Sequence, residues 1–165
     1  MRPEELTWLA EQAEHRSRII ELGSHLGRST RALGENTEGT VYAIDDWRGH
    51  SEFIGDLPAV VLFGAFCENV LDLMNGGILQ VFKIDHADIL EEIRFGQLVD
   101  MAFIDGEHAY DSVSRDIRNC LKMLSKGALL CGHDYDWHDV KVAVDELVPN
   151  RQLVPNTSIW WWVVE

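Results

Sequence analysis

Five short apolar segments of this chain each run directly into a polar cluster, and helix-like stretches separate them. Arg18–Leu22 leads into Glu21, Gly23, Ser24, His25 and Gly27; Val41–Asp45 ends on Asp45, Asp46 and Trp47. Ile78–Ile84 leads into Asp85 and His86, Val99–Asp105 into Gly106, Glu107 and His108, and Gly127–Gly132 into His133, Asp134 and Tyr135. Between them, Pro3–Ala13 carries Leu6, Leu9, Ala10 and Ala13 at helical spacing, with acids in its first turn. A helix follows the first glycines through Leu33, and Leu57–Met74 forms a longer one that Asn75, Gly76 and Gly77 stop. Asp111–Leu124 puts Val113, Ile117, Cys120, Leu121 and Leu124 on one face, and Asp139–Leu147 is a last helix. Arg151–Val154 and Ile159–Val164 close the chain as a strand pair. Such alternation predicts an α/β fold: a doubly wound, mostly parallel, Rossmann-like sheet with helices on both faces. In these sheets a ligand binds beyond the carboxyl ends of the strands, where this chain gathers its polar residues.

The 165 residues suit one domain, 1–165, with 1–17 an N-terminal helix and 18–165 the core. Fourteen basic and 28 acidic residues give a net charge of −14, which repels phosphate backbones and argues against nucleic acid. No apolar run reaches the roughly 18–20 residues of a membrane helix, so no membrane partner is expected. The segment Met1, Arg2, Pro3, Glu4, Glu5 lacks the order of a secretory signal. Cys67, Cys120 and Cys131 sit in apolar contexts without metal-type spacing, which points to buried free thiols and a cytoplasmic location.

The turn from Ile19 to Thr30 spaces its glycines as Gly-x-x-x-Gly. Gly23 permits a tight turn and Gly27 a close approach of a ligand or of the next helix. The helix start can receive a carboxylate on its free amides. The Gly-x-Gly-x-x-Gly of pyrophosphate binders is missing, which argues against a nicotinamide-dependent oxidoreductase. Asp45, one strand–helix–strand unit after Glu21, is placed to accept the ribose hydroxyls of an adenosine-containing ligand, and taken alone is equally suited to a helix cap or a solvated acid. Trp47 either packs on an adenine or covers the core. Asp105 with His108 three residues on suits an acid–base pair or a metal ligand, and otherwise a capped strand end. His133 and Asp134 at the neighbouring strand end could share an ion with Asp105. Carboxylates suit Mg²⁺ or Mn²⁺, while imidazole leaves room for Mn²⁺, Fe²⁺ or Zn²⁺. His138 and Asp139 read as a helix start.

Taken in order, these motifs resemble the class I S-adenosylmethionine (SAM) methyltransferases grouped as methyltransferase family 24. They are Ile-Ile-Glu-Leu-Gly-Ser-x-Leu-Gly-Arg-Ser-Thr, Val-Tyr-Ala-Ile-Asp-x-Trp, Phe-Ile-Asp-Gly-x-His-x-Tyr and Gly-His-Asp-Tyr, with Ile159 to Trp162 fitting the last strand. The resemblance implies a seven-stranded sheet of order 3-2-1-4-5-7-6. It implies that Glu21, Gly23, Ser24, Gly27 and Ser29 line the methionine end of SAM and that Asp45 holds the ribose. Asp85 and His86 would lie near the adenine, and Asp105 would be a cofactor-binding residue at the other end of SAM. By similarity to metal-dependent O-methyltransferases, Asp105, His133 and Asp134 would hold a divalent ion such as Mg²⁺ or Mn²⁺. Asp105 and His108 would be catalytic. Those enzymes place a lysine where His108 stands, so the base is left open.

The expected function is SAM-dependent O-methylation of a small-molecule substrate, a hydroxylated acceptor of sugar or phenol type. The alternative is a non-catalytic SAM-binding module whose open site needs a partner chain or domain. Trp47, Trp137 and Trp160 to Trp162 serve either as an aromatic platform or as core and dimer packing, which leaves room for a homo-oligomer.

Overall fold

The computed structural model describes residues 1–48, 57–89 and 98–165. Helix α1 (Pro3–Ala13) precedes β1 (Arg18–Leu22), α2 (Arg28–Gly34) and β2 (Thr40–Asp45). Then come α3 (Ala59–Asn69), α4 (Leu71–Asn75), β3 (Leu79–Lys83) and a 3₁₀ turn at His86–Asp88. The chain continues through β4 (Val99–Ile104), α5 (Tyr110–Met123), β5 (Leu124–Gly132), α6 (His138–Leu147), β6 (Gln152–Leu153) and β7 (Trp160–Val163). The sheet runs β3-β2-β1-β4-β5-β7-β6, parallel from β3 to β5, with β7 antiparallel to both of its neighbours. That is the expected order.

Side-chain alternation along the central strands builds two cores. Ile20, Leu22, Ile44, Ala102, Ile104 and Leu130 face α5 and α6, meeting Val113, Ile117, Val140 and Val144. Ile19, Val41, Ala43, Met101, Phe103 and Leu129 face α1 to α4, meeting Leu9, Leu33, Phe66 and Leu73. Both faces of the sheet are covered, so the central strands read as continuous apolar runs.

Register decides where the chemistry goes. Leu22 pairs with Ile44 on one side and Ile104 on the other, and Ile104 pairs with Gly132. The next residues, Gly23, Asp45, Asp105 and His133, therefore leave the sheet along one row. Three non-glycine residues adopt left-handed backbone just beyond these strands: His25, Trp47 and Asp134, at φ 45°, 53° and 57°. Strain of this kind costs on the order of 1–3 kcal/mol each and concentrates where a fold aims functional groups.

Two boundaries differ from expectation by three residues or more. The long helix ending at Met74 breaks at Val70, whose φ of −121° lies outside the helical region. Val70 packs against the Gly27 turn there: a Cβ on Gly27 would lie 2.8 Å from Val70 Cγ1. Strand β5 starts at Leu124, three residues early, because Leu124 already pairs with Val99 across a register shift.

Candidate functional site

Glu21, near the end of β1, is fully buried. Its Oε2 accepts hydrogen bonds from Ser24 Oγ at 2.8 Å and Thr30 Oγ1 at 2.5 Å, so one carboxylate ties both limbs of the turn. Burial raises its pKa, opposed by donors that include Ser29. Oε1 is buried and has no partner among the described residues. A buried acceptor without a donor is costly, and the ammonium of a methionine-like group is the kind of donor that would satisfy it.

The glycines of the turn serve the chain itself. Gly23 has φ +90°, and a Cβ there would lie 2.1 Å from the Asp105 carbonyl oxygen, so the first turn presses against the loop after β4. Gly27, at φ +84°, makes room for Val70 and Phe66. Asp45 links two turns: Oδ2 accepts from the His25 amide at 2.9 Å and Oδ1 from the Trp47 amide at 2.7 Å. Each oxygen keeps lone-pair capacity for a further donor such as a ribose hydroxyl.

Trp47 takes the packing side of its two readings. It is 1% exposed, donates its indole N–H to the His25 carbonyl at 2.7 Å, and meets Phe63 and Phe66 at 4.7 and 4.8 Å between ring centroids. Trp160 is equally buried, against Gly132, while Trp161 and Trp162 are partly buried against the two cores. Trp137 differs: it is 48% exposed and stacks on His108 at 4.4 Å.

Asp85 caps the 3₁₀ turn through the Ala87 amide. His86 faces inward, with Nδ1 3.1 Å from Asp116 Oδ2 and Nε2 3.2 Å from the Ile44 carbonyl oxygen. Both neighbours are acceptors, so the ring is satisfied when both nitrogens carry protons. Burial pulls its pKa down, but the hydrogen bond and charge of Asp116 outweigh that and hold it above 6.5. The pair therefore stabilises the fold fully below pH 6.5, and the contribution is lost as pH rises through the raised folded-state value. Asp116→Asn is expected to cost about 3 kcal/mol at pH 6, with a smaller gap to the parent protein at pH 9, in urea unfolding. A gap independent of pH would show that the imidazolium is not what Asp116 holds.

At the ends of β4 and β5, Asp105, His133 and Asp134 form one cluster whose potential ligand atoms all lie within 4.8 Å of each other. His133 Nδ1 is 3.0 Å from Asp134 Oδ1 and 3.5 Å from Asp105 Oδ1. Those separations are near the ligand–ligand spacing around a divalent ion bound at about 2.0–2.2 Å. Two carboxylates and an imidazole fit Mn²⁺, Fe²⁺ or Zn²⁺ better than Mg²⁺. Burial lowers the His133 pKa, but Asp134, Asp105 and Glu5 carry it up to about 9. Burial with the Asp134 and Glu21 charges pushes Asp105 up to about 7, against the pull of His133.

Asp134 reaches a second imidazole. Its Oδ2 lies 2.8 Å from His108 Nε2, while Oδ1 meets His133. His108 Nδ1 has no partner among the described residues, and the ring is braced by Trp137. Ile104, Gly106, Val113, Val140 and Trp160 join these groups in lining one cleft.

Three contributors escaped the sequence reading. Glu5 reaches His133 Nε2 at 3.1 Å, Ser158 Oγ reaches it at 3.0 Å, and Asp116 holds His86. Glu5 shares the buried stripe of α1 with Leu9 and Ala13, and Asp116 that of α5 with Val113 and Ile117. An acid in the apolar stripe of a helix was the available signal.

Comparison with known proteins places the chain among related molecules. Residues 20–135 match a family described as a methyltransferase domain. No curated protein sequence matches the chain. An O-methyltransferase from Bacillus cereus in complex with SAH superposes with a TM-score of 0.71 at 14% identity, over 100% of this chain and 82% of that one. The O-methyltransferase TomG from Streptomyces achromogenes, in complex with SAM, gives 0.71 at 13% identity, over 100% and 82%. An rRNA methylase from Streptococcus thermophilus gives 0.65 at 19% identity, over 100% and 98%. Among the described residues no helix is long and apolar enough to cross a membrane.

Proposed function

The chain belongs to the methyltransferase-domain family, and from that premise we propose that it moves the methyl group of SAM to an oxygen of a small hydroxylated acceptor, of sugar or phenol type, assisted by a divalent ion. The observation that carries the reading is the single row formed by Gly23, Asp45, Asp105 and His133, with His108 beside it. Cofactor-type and proton-handling groups thus share one edge of the sheet.

SAM brings a methyl group already activated on a sulfonium, so the protein's work is positioning and deprotonation. Glu21, Ser24 and Ser29 would hold its methionine end and Asp45 its ribose. Gly23 and Gly27 contribute by shaping the turn rather than by contact. Asp105, His133 and Asp134 would hold the ion, which lowers the pKa of a nearby hydroxyl. His108 is the base. Asp134 accepts the proton on Nε2, which leaves the lone pair on Nδ1 to take the acceptor's proton. Trp137 stacks on the ring and fixes its plane.

The charge of −14 favours a small acceptor over a polyanion, even though an rRNA methylase shares the fold. Incubating the protein with tritiated SAM, Mn²⁺ and pools of sugars and phenols tests the reading. Label appearing in a hydroxylated small molecule is the expected result. Tight SAM binding with no label in any pool would favour a non-catalytic module.

A further inference from the structure

Glu5 sits in the first turn of α1, yet its side chain is only 1% exposed. Its Oε1 accepts from the Arg2 guanidinium and from the Ser158 amide and hydroxyl. Its Oε2 accepts from the Arg2 amide at 2.5 Å and faces His133 Nε2 at 3.1 Å. The Arg2 amide alone completes a helix cap, and an exposed glutamate would do that equally well. Burial of this carboxylate therefore points to its other partner. Ser158 lies 153 residues away in sequence, so the contact joins the first helix to the loop before β7 and to the end of β5.

The ring of His133 could flip and exchange its two nitrogens. With Nε2 facing Glu5 Oε2 at 3.1 Å and Ser158 Oγ at 3.0 Å, Nδ1 is the nitrogen that faces Asp105 and Asp134. A histidine that ligates a metal commonly donates its other N–H to a carboxylate, which fixes the tautomer and the ring plane. Resting on the metal-assisted reading above, we propose that Glu5 is a positioning residue: directly, and through the Ser158 hydroxyl that it holds, it keeps His133 Nε2–H in place so that Nδ1 is presented to the ion shared with Asp105 and Asp134. Helix α1 is thereby part of the site and not only a cover for the sheet.

The test is titration calorimetry of Mn²⁺ into the SAH-bound protein, with SAH affinity and Tm measured alongside. Glu5→Ala is expected to weaken Mn²⁺ binding about 10–100-fold and to leave SAH affinity unchanged. Glu5→Gln keeps an acceptor oxygen but not the charge, and is expected to lose about fivefold. Parent-like Mn²⁺ affinity in both variants would overturn the proposal, as would equal losses of Mn²⁺ and SAH. If Glu5→Ala does not fold, Glu5→Gln decides: a loss of Mn²⁺ affinity alone supports the proposal and parent-like affinity overturns it. Parent protein that binds SAH but no Mn²⁺ would instead sink the metal reading, and this inference with it.

Discussion

His108→Gln is expected to lower kcat by about 10²–10⁴-fold while SAH binds as in the parent protein. Glutamine preserves the size and polarity of the side chain but cannot accept a proton near neutral pH. The parent enzyme also carries a pH signature. The hydrogen bond that His108 donates to Asp134 raises the His108 pKa above 6.5 in spite of partial burial. Only the neutral ring is a base, so activity falls as pH drops through that raised value and is restored above it. In His108→Gln that limb disappears along with the rate. A variant that kept full kcat with the same acidic limb would move the base elsewhere, with Asp105 the next candidate.

Gly23→Ala is the second large effect, and it is structural in origin. The alanine methyl would lie 2.1 Å from the Asp105 carbonyl oxygen and 2.7 Å from Gly106 Cα, both of them backbone atoms. No side-chain rotation relieves such a clash, and φ +90° disfavours any Cβ. The chain must move the turn after β1 away from the loop after β4. Overpacking and backbone strain together predict a loss of about 2–5 kcal/mol. Thermal unfolding should therefore fall by roughly 5–15 °C. SAH binding should vanish at concentrations that saturate the parent, because the shifted turn carries Ser24 and the His25 amide held by Asp45. A Gly23→Ala protein with parent-like Tm would contradict the close approach itself.

Much of this arrangement is legible in the residue pattern because it follows from short-range rules. Continuous apolar runs bounded by glycines and acids locate β1 to β4 within one residue, and the end of β5, though not its start. The sheet order agrees with the one the family resemblance implies. Parallel strands in register then carry Asp45, Asp105 and His133 to a common edge. What resists the sequence is tertiary choice. Trp47 at a strand end is equally suited to a ring ligand or to Phe63 and Phe66, and only packing decides. The helix expected to run to Met74 breaks at Val70, which packs against the turn at Gly27, 43 residues away, a proximity that periodicity cannot register. Glu5 looks like an ordinary first-turn acid, since helix starts favour acids whether or not they are buried. Gly23 signals a close approach without saying that the visitor is the chain's own backbone.

The account rests on SAM occupying the edge built by Glu21, the turn that follows it, and Asp45. Calorimetric titration of SAH into the parent protein and into Asp45→Asn tests this most directly. Saturable one-to-one binding to the parent is predicted, weakened about 10–100-fold in Asp45→Asn as charge-assisted hydrogen bonds to the ribose are lost. Absence of SAH binding by the parent, or equal binding by both proteins, would contradict it.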